Sequence, residues 1–396
     1  MNQCSYKEPF LCMALLVIMI FEVPLLKLYL IAGTVMLIIY MVIYKRRPII
    51  DAEMFTLLLF IILYFAIDTK LESSTEYKVW YALSTISLYA CGFYMNFDEL
   101  NIEERSDKVT SVIKTIAIAY AAFVLVTMVY STLKGQFVIT RNPLNIWTGT
   151  LRAATHFGTM SLIPLAYGLY LIIAARSKKS YKCGWMMVIF VSLVAVITGS
   201  RTALFLVPIG AIIAYFANIK MQGEFTKKHL NQLLGVLLLL ALATVAFSLD
   251  AFGLQTLFYK SQLGQRYLLG YAPTMAEDGR WKNTVFFFEN ISKSLWGEGY
   301  TRTNVGNIHN VYLNVFDLSG IIPFSLLIIF TLMVIRDYKR MRKNASVDNS
   351  TALLLLLIGT LTFVQLLLEP VMESVPVMIW CLLLIYGMQH KVSRYI

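Results

Sequence analysis

Charged residues are scarce in this chain. Only 14% of its 396 residues are Asp, Glu, Lys or Arg, whereas 58% are hydrophobic. A soluble domain carries about 25% charged residues, so the composition excludes an ordinary soluble globular protein. The chain also lacks internal repeats and low-complexity linkers. We therefore treat residues 1–396 as a single integral membrane domain.

Cysteines are few, and their spacing is not that of a metal site or a disulfide framework. The five cysteines form no CxxC pair, and none lies in a long hydrophilic loop, which argues against structural zinc and against disulfides. Basic residues are not scarce: the formal net charge is +11. No basic run is interleaved with aromatic residues, so we assign this excess to cytoplasmic loops and anionic headgroups rather than to nucleic acid.

Apolar runs long enough to cross a bilayer follow one another along almost the whole chain. A transmembrane helix needs about 20 apolar residues, with a range of roughly 17–25. On this basis the sequence predicts an all-α polytopic bundle of about twelve spans, at 9–26, 28–44, 51–67, 79–96, 109–131, 154–175, 183–199, 202–217, 232–250, 310–335, 351–368 and 371–389.

The loops between these spans differ in their content of Lys and Arg. Basic clusters such as 45–47 and 336–343 lie in loops on the same side as both termini, whereas the short loops opposite hold isolated basic residues. By the positive-inside rule, both termini are predicted to be cytoplasmic.

One long segment, 251–309, is predicted to lie outside the membrane between the ninth and tenth spans. A loop of this length in a compact protein is usually functional. Its part 281–295 mixes apolar and polar residues at helical spacing. This pattern predicts an amphipathic helix on or near the membrane surface.

Three residues that can bind anions or move protons lie on the predicted outer side of the membrane. Arg201 stands between the seventh and eighth spans with almost no loop around it, and Arg280 lies in the long loop. His309 begins the tenth span, and imidazole suits proton transfer near neutral pH. The alternatives are a snorkelling arginine, a solvated loop charge and a structural histidine.

The order of these residues resembles the O-antigen ligase and O-antigen polymerase superfamily of membrane glycosyltransferases. The matching region is roughly 198–325, and the span plan with one large loop extends the resemblance to the whole chain. The features that carry it are Arg201, Arg280, Gly297 and Gly299 in the segment 296–300, His309 followed by Asn310, and Gly320. Pro323 departs from the family pattern, which has a small residue or tyrosine there.

The resemblance implies a role for each matching residue. Arg201 and Arg280 would bind the diphosphate of an undecaprenyl-diphosphate-linked glycan, and His309 would be the general base. Gly297, Gly299 and Asn310 would support the site. Because two guanidiniums can stabilise a departing diphosphate, and no Asp-rich motif lies on the outer side, we expect neither a metal nor another cofactor. Attack by the acceptor from the opposite face predicts inversion at the anomeric carbon.

The resemblance also implies a bacterial inner-membrane enzyme whose active site faces the periplasm. As a ligase it would move glycan from undecaprenyl diphosphate to lipid A-core in lipopolysaccharide biosynthesis, and the spacing from His309 to Gly320 favours this version. As an O-antigen or capsular polysaccharide polymerase it would instead use a lipid-linked acceptor. A transporter or flippase of lipid-linked sugars is a third alternative, but such proteins more often show internal repeats and charges at mid-membrane depth.

Overall fold

The computed structural model describes residues 10–43, 49–67, 75–136, 142–174, 177–222, 248–250, 253–260, 264 and 279–395. Regular structure in these ranges is helical, apart from one isolated bridge between Leu144 and Leu151. The prediction of an all-α fold is confirmed for this part of the chain.

Seventeen α-helices occur in the described ranges. In chain order they are α1 (Phe10–Ile20), α2 (Leu28–Ile43), α3 (Ala52–Ile67), α4 (Thr75–Tyr94), α5 (Ile102–Leu133), α6 (Ala154–Met160), α7 (Leu162–Ile173), α8 (Lys178–Thr198), α9 (Arg201–Gln222), α10 (Leu254–Lys260), α11 (Gly279–Glu289), α12 (Tyr300–Asn304), α13 (Val311–Ser319), α14 (Ile321–Lys343), α15 (Asn349–Leu368), α16 (Val371–Ser374) and α17 (Pro376–Ser393).

Six helical segments are long and apolar enough to cross a membrane: α5, the α6–α7 pair, α8, α9, α14 and α15. Helices α1, α2 and α3 are apolar but shorter. The total of twelve spans, the orientation and the periplasmic position of the long loop stay predictions. The predicted span 232–250 lies outside the described residues, apart from 248–250.

The predicted tenth span, 310–335, is wrong as one continuous helix. Helix α13 ends at Ser319, and α14 begins at Ile321. Gly320 separates them with φ 83° and ψ −173°, outside the helical region.

The chain divides into two compact units, Met1–Val126 with Met275–Ile396, and Thr127–Thr274. The prediction of one integral membrane domain stays a prediction. In the first unit, α4 and α17 pack backbone against backbone at Gly92 and Gly387, where a Cβ would collide with main-chain atoms of the other helix. Small residues allow this close approach between helices in a membrane. The α4–α17 pair is the buried centre on which α2, α3 and α14 pack.

Candidate functional site

Arg280 and His309 meet at a third residue, Glu369, inside the first unit. The Nη2 of Arg280 donates a hydrogen bond to Oε1 of Glu369 at 2.8 Å. The other carboxylate oxygen, Oε2, lies 3.3 Å from Nδ1 of His309. One carboxylate therefore joins the two residues that the sequence had singled out separately.

The position of Glu369 follows from the way α15 ends. Pro370 disfavours helical backbone in the residue before it, and Glu369 has φ −144° and ψ 146°. Its side chain is 5% exposed, compared with 28% for Arg280 and 33% for His309. The Nη1 of Arg280 also lies 3.4 Å from the carbonyl oxygen of Leu368, the last residue of α15. A cation at a helix C-terminus is favourable for the helix dipole.

Helix α11 carries Arg280 in its first turn and is anchored by Phe287. This ring is 1% exposed and packs edge-on against Phe316 of α13, with centroids 5.5 Å apart. Ile308 completes the buried cluster. The predicted amphipathic helix 281–295 is thus helical over 279–289, followed by a 3-10 turn at Ile291–Ser294. Its location at the membrane surface stays a prediction.

Asn310 positions His309 by capping the next helix. Its side-chain oxygen accepts a hydrogen bond from the backbone N–H of Leu313 at 3.1 Å, the usual arrangement of an N-cap residue. Ile308, on the other side of His309, is fully buried. His309 therefore lies between the buried residue Ile308 and the N-cap residue Asn310. The supporting role implied for Asn310 has a structural explanation here.

Gly297 and Gly320 belong to one close backbone contact. Gly297 has φ 96°, and a Cβ on it would lie 2.7 Å from the carbonyl oxygen of Leu318. A Cβ on Gly320 would lie 2.7 Å from the carbonyl oxygen of Leu295. The N–H of Ile321, at the start of α14, donates to that same Leu295 oxygen at 2.9 Å. These glycines let the segment 295–297 pack closely against the α13–α14 junction.

Asp317 holds the segment around Gly299 in place through hydrogen bonds. It is fully buried and accepts hydrogen bonds from Ser294 Oγ at 2.6 Å and from the backbone N–H of Thr301 at 2.9 Å. Its own carbonyl accepts from the N–H of Gly299 at 2.9 Å. Gly299 is the N-cap of α12 and has φ 64°. Asp317 thus satisfies N–H groups at a helix start that would otherwise be orphaned.

Arg201 lies in the second unit, where it is the first residue of α9. Helix α8 ends at Thr198, and Gly199 takes a left-handed conformation as its C-cap, so the hairpin is as short as predicted. Ser200 is 1% exposed and packs closely against Gly158 of α6, whereas the Arg201 side chain is exposed. The turn is therefore packed against α6 through Ser200, whereas Arg201 is exposed.

The residue that sequence reasoning missed is Glu369. Glu369 directly follows the predicted span 351–368, and no sequence pattern distinguishes it from Glu373, the next acid along the chain.

The Arg280–Glu369–His309 cluster, which we call the acid-bridged site, combines an anion-binding group with an oriented imidazole. A carboxylate on Nδ1 fixes a histidine in the tautomer that leaves Nε2 as an acceptor. Among the described residues, Nε2 of His309 has no polar partner. The arrangement can therefore bind a negatively charged group beside a base.

No protein-family model matches this chain, and no curated protein is significantly similar to it.

Proposed function

We propose that the protein is a metal-independent inverting glycosyltransferase that uses a polyprenyl-diphosphate-linked glycan as donor. Within that class we propose O-antigen ligase activity, with lipid A-core as acceptor. The observation that carries the proposal is the carboxylate of Glu369, which joins Arg280 to His309. The resemblance gives these two residues a phosphate contact and a base, and such roles require them to act on the same substrate.

The base in this reaction is His309. With Nδ1–H donating to Glu369, the lone pair of Nε2 accepts the proton of an acceptor hydroxyl as its oxygen attacks the anomeric carbon. The bond from the anomeric carbon to the diphosphate oxygen breaks, and the diphosphate leaves with the electron pair. A positioned base of this kind typically accelerates such a step by about 10²–10⁴-fold.

The leaving group needs positive charge. Arg280 supplies a guanidinium, which pairs with phosphate oxygens more specifically than an ammonium does. Its link to Glu369 orients it before substrate binds, and preorganised charge is the most effective kind for a developing anion. Arg201, in the second unit, is proposed as the other diphosphate contact on the resemblance alone.

A lipid tail also needs an apolar surface, and the first unit contains a largely apolar cavity of about 460 Å³. Val311 and Tyr312, which directly follow His309 and Asn310, line it together with Phe330 and Phe363. This cavity supports a lipid-linked donor over a soluble one.

The test is deletion of the gene in its native host, followed by gel analysis of lipopolysaccharide and of the polyprenyl-linked pool. Bare lipid A-core with polymer retained on the carrier, restored by the wild type but not by His309→Ala, is the expected result. Core bearing a single repeat unit would identify a polymerase instead. An unchanged ladder would contradict both, and a loss of all lipid-linked polymer outside the cytoplasm would identify a flippase.

A further inference from the structure

A second concave site lies in the first unit, and it is strongly basic. We call it the basic pocket. Its volume is about 580 Å³, and it is formed by the C-terminal parts of α14 and α17. The residues that line it are Arg336, Lys339, Arg340, Lys343, Asn344, Ser393 and Arg394.

Two of these cations form ion pairs with acids on neighbouring segments or on the same helix. Arg336 pairs with Glu53 and with Asp337, whose Oδ1 lies 3.3 Å from Nη2. Arg394 donates to Oδ2 of Asp51 at 2.6 Å. The side chains of Arg336 and Arg394 are nevertheless 46% and 42% exposed. They are fixed in place and still face outward, so an anion would bind them at little entropic cost.

The other three cations, Lys339, Arg340 and Lys343, are exposed. Within the described ranges, no acid pairs with any of them. The acids near the pocket, Asp51, Glu53 and Asp337, are already engaged by Arg394 and Arg336. The pocket therefore carries an uncompensated positive charge, which a bound anion would balance.

The pocket stands where lipid headgroups are expected. In α14 the apolar run ends at Ile335, and Arg336 begins the basic stretch. Helix α17 has 18 residues, so it is about 27 Å long. Its N-terminal end follows the turn that contains Glu369, and Arg394 is its C-cap. The pocket and the acid-bridged site thus lie towards opposite ends of α17.

Basic residues at helix C-termini also complement the helix dipole, and basic loops are common at the cytoplasmic surface. Neither effect accounts for Arg336. It lies two turns before the end of α14, outside the range of the dipole, and it is held towards the pocket by Glu53 and Asp337.

We propose that the basic pocket binds the phosphate of an anionic phospholipid in the leaflet opposite the acid-bridged site. Basic pockets between transmembrane helices bind such headgroups through several Lys and Arg side chains at once. A headgroup seated there would contact both α14 and α17 and would hold their ends together. The proposal is independent of the glycosyltransferase reaction.

The experiment uses the purified full-length chain and native mass spectrometry. The delipidated protein is titrated with phosphatidylglycerol, and with phosphatidylcholine of the same acyl chains. We expect phosphatidylglycerol to bind at least tenfold more tightly. The triple variant Lys339→Gln, Arg340→Gln and Lys343→Gln should weaken it about a hundredfold, because each basic residue near an anionic lipid contributes a factor of about five.

The matched control is Lys178→Gln, Lys179→Gln and Lys182→Gln, which removes three exposed lysines from the start of α8. This control should bind like the wild type; equal weakening in the two triple variants would overturn the proposal. The charge-keeping variant Lys339→Arg with Lys343→Arg should retain binding, which separates charge loss from misfolding. Glycerol 3-phosphate is added as a competitor, and displacement of the lipid at equal concentration would show a free-anion site instead.

Discussion

The Oε2 of Glu369 lies 3.3 Å from the Nδ1 of His309, a contact between residues 60 positions apart in the chain. The carboxylate belongs to the end of α15, and the imidazole precedes α13. Because Pro370 sets the backbone of Glu369 and Asn310 caps α13, both partners are held by local structure rather than by the contact itself. The pair is therefore preorganised for one imidazole orientation.

Substitution of Glu369 by Gln should leave the protein folded but nearly inactive. The amide keeps the shape but no longer offers two negatively charged oxygens to Arg280 and His309. We expect kcat for glycan transfer to fall by about 10²–10⁴-fold, the usual contribution of a general base that depends on its orientation. The measurement is transfer from a purified lipid-linked donor in detergent.

The control for Glu369→Gln is Glu289→Gln, which removes an exposed acid at the end of α11. It should transfer glycan at the wild-type rate, and partial activity in Glu369→Asp would confirm that the carboxylate matters. Wild-type turnover in Glu369→Gln would show that the bridge has no part in the reaction.

Arg280→Lys should impair transfer although it keeps the positive charge. A lysine cannot reproduce the guanidinium fork that contacts Glu369 through Nη2 and the Leu368 carbonyl through Nη1. A charged hydrogen bond is worth about 1.5–3 kcal/mol, so kcat/KM should fall by about 10–150-fold. Lys282→Ala removes a whole charge from the same helix, at an exposed position, and should have little effect on kcat/KM. A larger loss in Lys282→Ala than in Arg280→Lys would mean that only the overall charge of α11 counts.

Gly297→Ala should destabilise the segment 279–304 more than Gly306→Ala does. Both glycines have positive φ, 96° and 102°, so both variants incur backbone strain of about 1–2 kcal/mol. Only at Gly297 would the new Cβ also collide with main chain, the Leu318 carbonyl at 2.7 Å; at Gly306 the nearest atom is 3.6 Å away. Limited proteolysis of 279–304 should be faster in Gly297→Ala. Equal rates in the two variants would mean that the close contact does not hold the segment.

Hydropathy and charge predicted much of the local structure because they act on single helices. Helix ends such as Thr198, Leu368 and the start of α3 lie within one or two residues of the predicted limits. The break at Gly320 was missed because it depends on a contact with Leu295, which is distant along the chain. A contact of that kind leaves no trace in a window average.

The site shows the same division between local and non-local signals. His309 was predicted because an imidazole at a membrane boundary suits proton transfer, whereas Arg280 was predicted only from the resemblance to the glycosyltransferase superfamily. The bridge through Glu369 depends on the packing of α11 over α13 and on the end of α15, which a single sequence does not reveal. Gly297 allows a close backbone approach to the α13–α14 junction, and Gly299 is the left-handed N-cap of α12. The supporting role of both glycines in the site stays a prediction.

His390, one residue beyond the last predicted span, is enclosed by charged groups at the opposite end of α17. Its Nδ1 pairs with Asp337, and its Nε2 lies 2.8 Å from Oδ2 of Asp51. Burial by itself would lower the pKa of His390, but the hydrogen bonds to Asp337 and Asp51 outweigh it and raise the pKa to about 9. The other charged groups facing the ring are Glu53 and Arg394, and Tyr89 and Phe93 stack on it.

Stability that depends on this proton should be lost in a defined pH window. The folded pKa of His390, about 9, lies above the ordinary value of 6.5, so the contribution is complete below pH 6.5 and disappears as the pH rises through 9. A shift of that size corresponds to at most about 3 kcal/mol. The measurement is thermal unfolding in detergent between pH 6 and pH 10, for the wild type and His390→Gln. The wild type should be the more stable protein at pH 6, and the difference should shrink towards pH 10, whereas parallel curves would mean that His390 carries no extra proton in the folded state.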